Sequence, residues 1–135
     1  MLNGGLTMGT TRAATLEIPK DRWRSYLDGF SQIYQGWRTT IEAVGIPLGD
    51  QVIATDAPLQ GISYDTAGTG AGNIEIGVGD RPDKFATHVV ERPQRLWVAD
   101  VKPGEDMAME IEAADGIRHL IDLRTIVDRL LPPKG

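Results

Sequence analysis

Met107-Ala108-Met109-Glu110-Ile111-Glu112-Ala113, then Ala114-Asp115-Gly116, then Ile117-Arg118-His119-Leu120-Ile121-Asp122-Leu123 read as a β-hairpin. Two registers compete for it. A two-residue Asp115-Gly116 turn sets Ile111 opposite Leu120 and Glu112 opposite His119. A three-residue loop with Gly116 left-handed sets Ala113 opposite Ile117 and Glu112 opposite Arg118. Strand side chains alternate, so a slip of one residue exchanges every face. Only the second register keeps Met107, Met109, Ile111 and Ala113 on one face with Ile117, His119, Ile121 and Leu123. That register is expected, with His119 at the core edge and bonded to a neighbour.

Working towards the N-terminus, the same period of two recurs. Trp37–Ala43, Gln51–Thr55, Leu59–Tyr64, Asn73–Val78, Phe85–Val90 and Arg95–Ala99 all read as strand, with Pro58 and Gly61 signalling an edge, a bulge or a bend. Phe85–Val90 and Arg95–Ala99 are expected to pair across Glu91-Arg92-Pro93-Gln94, which sets Val89 opposite Leu96 and His88 opposite Trp97. Before Gly36 the period is helical. Trp23, Tyr26, Leu27, Phe30, Ile33 and Tyr34 form one apolar stripe behind the entry Ile18-Pro19-Lys20-Asp21, and Gly36 serves as a left-handed cap. Arg124–Leu131 has helical spacing up to Pro132-Pro133. The expected fold is α+β: an N-terminal amphipathic helix packed on a six- to seven-stranded antiparallel sheet or small β-barrel, closed by a short C-terminal helix. Residues 1–15 read as a mobile tail and 16–135 as a single domain.

The 135 residues suffice for one domain with its own core, and 41% of them are hydrophobic. With no cysteine, disulfides and thiolate chemistry are excluded. A net charge of −5 argues against a nucleic-acid partner. No run is apolar and long enough for a membrane span, and the start lacks the basic and apolar regions of a signal peptide, so a cytoplasmic location is expected.

The marks Ile18-Pro19-x-x-x-Trp23, Leu27-x-x-Phe30-Ser31 and Gly36-Trp37 resemble the opening of a small uncharacterised bacterial family. Later segments fit the same pattern: Pro58–Asp65, Ile74-Glu75-Ile76, Thr87-His88 and Glu110-Ile111-Glu112-x-x-Asp115-Gly116. The resemblance covers residues 18 to about 123, with Arg124–Gly135 running past it. It implies a compact cytoplasmic domain and carries over no catalytic residue.

Catalytic signatures are incomplete. Gly68-Thr69-Gly70-Ala71-Gly72 lacks the Gly-Lys-Ser/Thr of a phosphate loop and precedes a strand rather than a helix, so it reads as a hairpin loop. Ala67 interrupts the Asp-Thr-Gly pattern of aspartic proteases after Asp65, and Gly61-Ile62-Ser63-Tyr64-Asp65 ends without the glycine of a nucleophile elbow. His88 and His119 have no metal-ligand spacing, so no metal and no cofactor are expected.

Three functions remain. The favoured one is a non-enzymatic interaction or structural domain that self-associates, as a homodimer, through a sheet edge or through the mixed face that carries Ala86, His88, Val90, Arg95, Trp97 and Ala99. The second is a small-molecule binder with a pocket between the helix and the mixed face, using Tyr64, His88, Arg95 and Trp97. The remotest is a hydrolase built on Asp65 or on a histidine-centred metal.

Overall fold

The structure, a computed structural model, describes residues 15–45, 47, 49–66 and 72–125. Its elements are β1 (Thr15–Glu17), α1 (Trp23–Tyr34), β2 (Arg38–Val44), β3 (Gln51–Asp65), β4 (Asn73–Val78), β5 (Ala86–Val90), β6 (Pro93–Lys102), β7 (Asp106–Ala113) and β8 (Arg118–Arg124). Single 3₁₀ turns occupy Lys20–Arg22 and Pro82–Lys84. The strands form one antiparallel sheet in the order β1-β6-β7-β8-β2-β3-β4-β5. Among the described residues its two outer strands do not pair with each other, so the sheet is open rather than a barrel closed by hydrogen bonds.

β3 is the corner on which the sheet turns. Its first half pairs with β2, down to Arg38 opposite Pro58, and its second half pairs with β4, from Leu59 opposite Val78 to Asp65 opposite Asn73. The expected pair of short strands is one long strand, bent where Pro58 and Gly61 signal it. The register shifts between Leu59 and Gly61, and Asp56 takes a positive φ of 53°. Aspartate tolerates that left-handed backbone better than most residues. Here it is also tied down: Asp56 N–H donates to Thr40 Oγ1 at 3.1 Å, and the Arg38 guanidinium meets its carboxylate at 3.3 Å. The bend folds β3–β5 back over the longer half of the sheet and leaves one apolar interior between them.

That interior is filled by the alternation read from the sequence. Ile41, Leu59, Ile62, Ile74, Ile76, Val90, Leu96, Met109, Ile111, Ile121 and Leu123 are all buried. The last hairpin has the expected register, with Met109 opposite Ile121, Ile111 opposite His119, Glu112 opposite Arg118, and Gly116 at φ +88°. The helix contributes Trp23, Leu27 and Phe30 to the core. Trp23 Nε1–H donates to the Ile18 carbonyl at 2.8 Å, and Ile18 N–H donates to Leu96 O at 2.9 Å, which seats the helix entry on β6. Gly36, at φ +86°, ends the helix in the left-handed conformation expected of it. Ile33 departs from the expected stripe: it is 68% exposed, because the buried arc of α1 is narrow and Ile33 falls outside it.

Three further expectations are corrected. β5 and β6 do not form a hairpin, so His88 does not face Trp97. Both edges of β6 are already taken, one by β7 and the other by β1, with Leu16 opposite Val98. β5 pairs with β4 instead, His88 opposite Ile76, and Arg92 at φ +50° carries the chain across to Pro93, opposite Ala113. The strand count rises to eight because Thr15–Glu17, at the boundary of the expected tail, is β1. Arg124, the expected start of a closing helix, is the last residue of β8. Thr125 follows outside any helix, its N–H donating to Glu105 O at 2.9 Å; residues 126–131 of that expected helix, residues 1–14 of the tail and residues 68–71 of the glycine loop lie outside the described residues.

Candidate functional site

The four residues expected to share a site are distributed over three places. Tyr64 belongs to the core edge, where its ring meets Trp23 edge-on at a centroid distance of 5.2 Å. His88 points inward from β5. Arg95 and Trp97 lie on the outer face of β6, opposite in sense to buried Leu96 and Val98. A pocket joining all four between helix and sheet is therefore not formed, since α1 packs against the inner side while Trp97 faces out.

The imidazoles form their own pair. β5 and β8 stand four places apart in the sheet order, yet the curl brings His88 Nε2 within 2.9 Å of His119 Nδ1. One ring donates and the other accepts. Around them the sheet registers place Ile76 beside His88, and Ala43 and Ile111 beside His119. Burial lowers the pKa of both rings; His119 is lowered further by the proximity of His88 and raised by the turn residue Asp115. Two neutral rings, or one neutral and one charged, satisfy the hydrogen bond, whereas two imidazolium ions would set N–H against N–H. Among the described residues no group of three or more histidine and carboxylate side chains converges as a metal site. Asp65, at the far end of β3 opposite Asn73, sits on a different strand from either imidazole.

A second feature lies on the outer face. There Trp97, Ala99, Ala108, Glu110, Leu120 and Asp122 line a groove of about 330 Å³. The register builds it in two rows. Trp97 stands opposite Glu110, and Glu110 opposite Leu120; in the next row Ala99 stands opposite Ala108, and Ala108 opposite Asp122. The two alanines make the depression between bulkier neighbours. Arg95 reaches over the Trp97 ring at 6.0 Å, and Arg118 pairs with Glu110 at 3.5 Å. Burial raises the Asp122 carboxyl pKa; Arg124 lowers it and Asp106 raises it further.

Sequence reasoning selected Trp97 and Arg95, placed Ala99 on the same face, and missed Ala108, Glu110, Leu120 and Asp122. The available signal was their parity. Once the last hairpin is in register, Ala108, Glu110, Leu120 and Asp122 all fall on the solvent side. A half-buried leucine and small alanines on that side are the mark of a hollow. No sequence signal joined His88 to His119.

Comparison with known proteins agrees with the resemblance stated from the sequence. A family of unknown function, DUF5335, matches residues 14–130, and the chain belongs to that family. An uncharacterized protein of Aquifex aeolicus (strain VF5) is 27% identical over 114 residues, covering 84% of this chain and 96% of the relative. No solved structure matches.

Proposed function

We propose that this member of the DUF5335 family is a non-enzymatic, cytoplasmic interaction domain that self-associates by pairing the free edge of β5 with the same edge of a second copy. The observation that carries the reading is the chemistry of that edge. Protein sheets defend free edges with charge, proline, bulges or extreme shortness. Among the described residues nothing pairs with the outer side of β5, and its sequence Ala-Thr-His-Val-Val contains no charge and no proline. Phe85 and Val89 stand 55% and 40% exposed beside it. The opposite edge is treated differently: β1 is three residues long and ends on exposed Glu17.

An antiparallel two-fold pairing centred on Thr87 brings Phe85 beside Val89 of the second copy, an aromatic–β-branched pair of the kind that stabilises sheets. The inward-facing, mutually bonded imidazoles support a structural rather than catalytic role for the two histidines.

Sedimentation equilibrium over a range of micromolar concentrations tests this reading. The wild-type chain is expected to approach twice its 14.7 kDa mass, and Val89→Lys to remain monomeric while keeping the wild-type circular dichroism spectrum. A wild-type chain that stays monomeric throughout overturns the proposal.

A further inference from the structure

We infer that the groove on the outer face of β6, β7 and β8 binds a small organic ammonium ion, held between the Trp97 ring and the Asp122 carboxylate. This inference is independent of the β5 edge, which lies at the far end of the sheet order.

Three observations converge on it. The first is shape: at about 330 Å³ the groove falls within the ordinary range of small-ligand sites, and opposed Ala99 and Ala108 supply a floor without side chains that would fill it. Alanine is a poor strand former, so its use at two adjacent solvent-facing positions of a sheet is not explained by propensity.

The second is charge. One row across this face runs Glu17, Trp97, Glu110, Leu120, Glu42, and the next runs Ala99, Ala108, Asp122, Thr40. Carboxylates thus stand on several sides of the apolar patch. Of the cations on the same face, Arg118 is engaged with Glu110, Arg38 with Asp56, and Arg95 lies over Trp97. Asp122 forms no ion pair among the described residues, and Arg124 beside it is paired with Asp106 at 3.8 Å. Burial raises the Asp122 carboxyl pKa, so its charged form carries a solvation cost that an incoming cation offsets. An anion would meet the same field with the opposite sign.

The third is the ring itself. An indole face attracts cations through its quadrupole, and Arg95 already uses this attraction at 6.0 Å. An ammonium ion carrying methyl or methylene groups satisfies the ring, the alanine floor and the carboxylate together.

The test is a titration of the full chain with tetramethylammonium, followed by ¹⁵N–¹H NMR at the Trp97 indole, which Trp97→Phe assigns among the three tryptophans. Neopentyl alcohol, a neutral analogue with one hydroxylated methyl group, and potassium chloride at matched ionic strength are the controls. The expected result is a saturable shift at Trp97, Ala99 and Ala108 with tetramethylammonium alone, and affinity about tenfold weaker in Asp122→Asn. Unchanged core methyl signals of Ile111 and Ile121 show that the variant is folded. In the wild-type chain, binding should weaken as pH falls through the range in which Asp122 takes up a proton. Equal shifts with neopentyl alcohol, no saturable shift, or undiminished affinity in Asp122→Asn would overturn the inference.

Discussion

Ser31 Oγ lies 2.7 Å from the Ile62 amide nitrogen and 2.8 Å from the Ile62 carbonyl oxygen, so one hydroxyl on the helix serves both backbone groups of a single strand residue. The need arises from the corner in β3. Beyond Pro58 the ladder with β2 has ended, and the edge of β3 that faces away from β4 has lost its strand partner. Buried backbone groups left unpaired are costly. The helix supplies the partner: the Ser31 oxygen accepts from Ile62 N–H, and its single proton is shared between the Ile62 carbonyl and the Leu27 carbonyl, each at 2.8 Å.

Ser31→Ala is therefore expected to cost about 1–3 kcal/mol, the penalty for leaving a buried donor and acceptor unmet. Urea unfolding should show a lower midpoint with an unchanged slope. A loss no larger than that of Ser25→Ala, on the exposed side of α1, would refute the role given to this hydroxyl.

The histidine pair gives the fold a pH dependence whose sign follows from its surroundings. His88 and His119 both have folded pKa values below the ordinary 6.5, chiefly through burial. The unfolded chain then binds protons more readily, so the pair's full contribution is present above pH 6.5 and is lost as pH falls through the lowered folded values. The charged groups acting on the pair are the two rings themselves and Asp115, which opposes the lowering at His119. The unfolding free energy should decline from pH 7 to pH 5, and the double variant His88→Leu/His119→Leu should flatten that interval. In Asp115→Asn the decline should steepen, because the group that favours the charged ring is gone. An identical slope in wild type and double variant would show that other groups produce it.

Asp122 carries the opposite sign. Its folded pKa is raised, so its contribution to stability is present below the unfolded value and lost as pH rises through the folded one. Asp122→Asn is thus expected to be as stable as wild type or more so at pH 7, while binding tetramethylammonium about tenfold more weakly. A clear fall in thermal midpoint for this variant would mean that the carboxylate is structural.

Gly79 sits at φ +128°, and a β-carbon added there would lie 2.5 Å from the Lys84 carbonyl and 2.8 Å from Phe85 Cα. Gly79→Ala should destabilise by more than about 1 kcal/mol, since both the backbone angle and the space are denied to it. Gly29→Ala in the helix, where nothing lies within 4 Å, is the matched control and should be neutral to stabilising. Equal behaviour of the two would contradict the tight turn into β5.

What could be read from the sequence was local. The register of β7 and β8 was legible because a three-residue loop and an unbroken apolar face agree, and both are set within seventeen residues of chain. The failure at β5 and β6 has the opposite cause. The alternation of either strand is satisfied by more than one neighbour, and the choice was made by Leu16 and Ile18, which bind β6 from about eighty residues away. His88 and His119 meet because β3 turns a corner, and local spacing carries no record of how far a sheet curls. The Trp97 groove lies between these cases: its residues had the right parity, but its depth depends on two alanines standing side by side across strands.

The pairing of β5 with itself is most directly tested by a single thiol. The chain contains no cysteine, so Thr87→Cys places one sulfur per molecule on the proposed two-fold axis. Opposed residues of antiparallel strands have Cα atoms about 4.5–5.5 Å apart, within the span of a disulfide. Under oxidised glutathione this variant should convert to a covalent dimer far faster than Ser25→Cys on the helix surface. Cross-linking of Thr87→Cys no faster than that control would contradict the account.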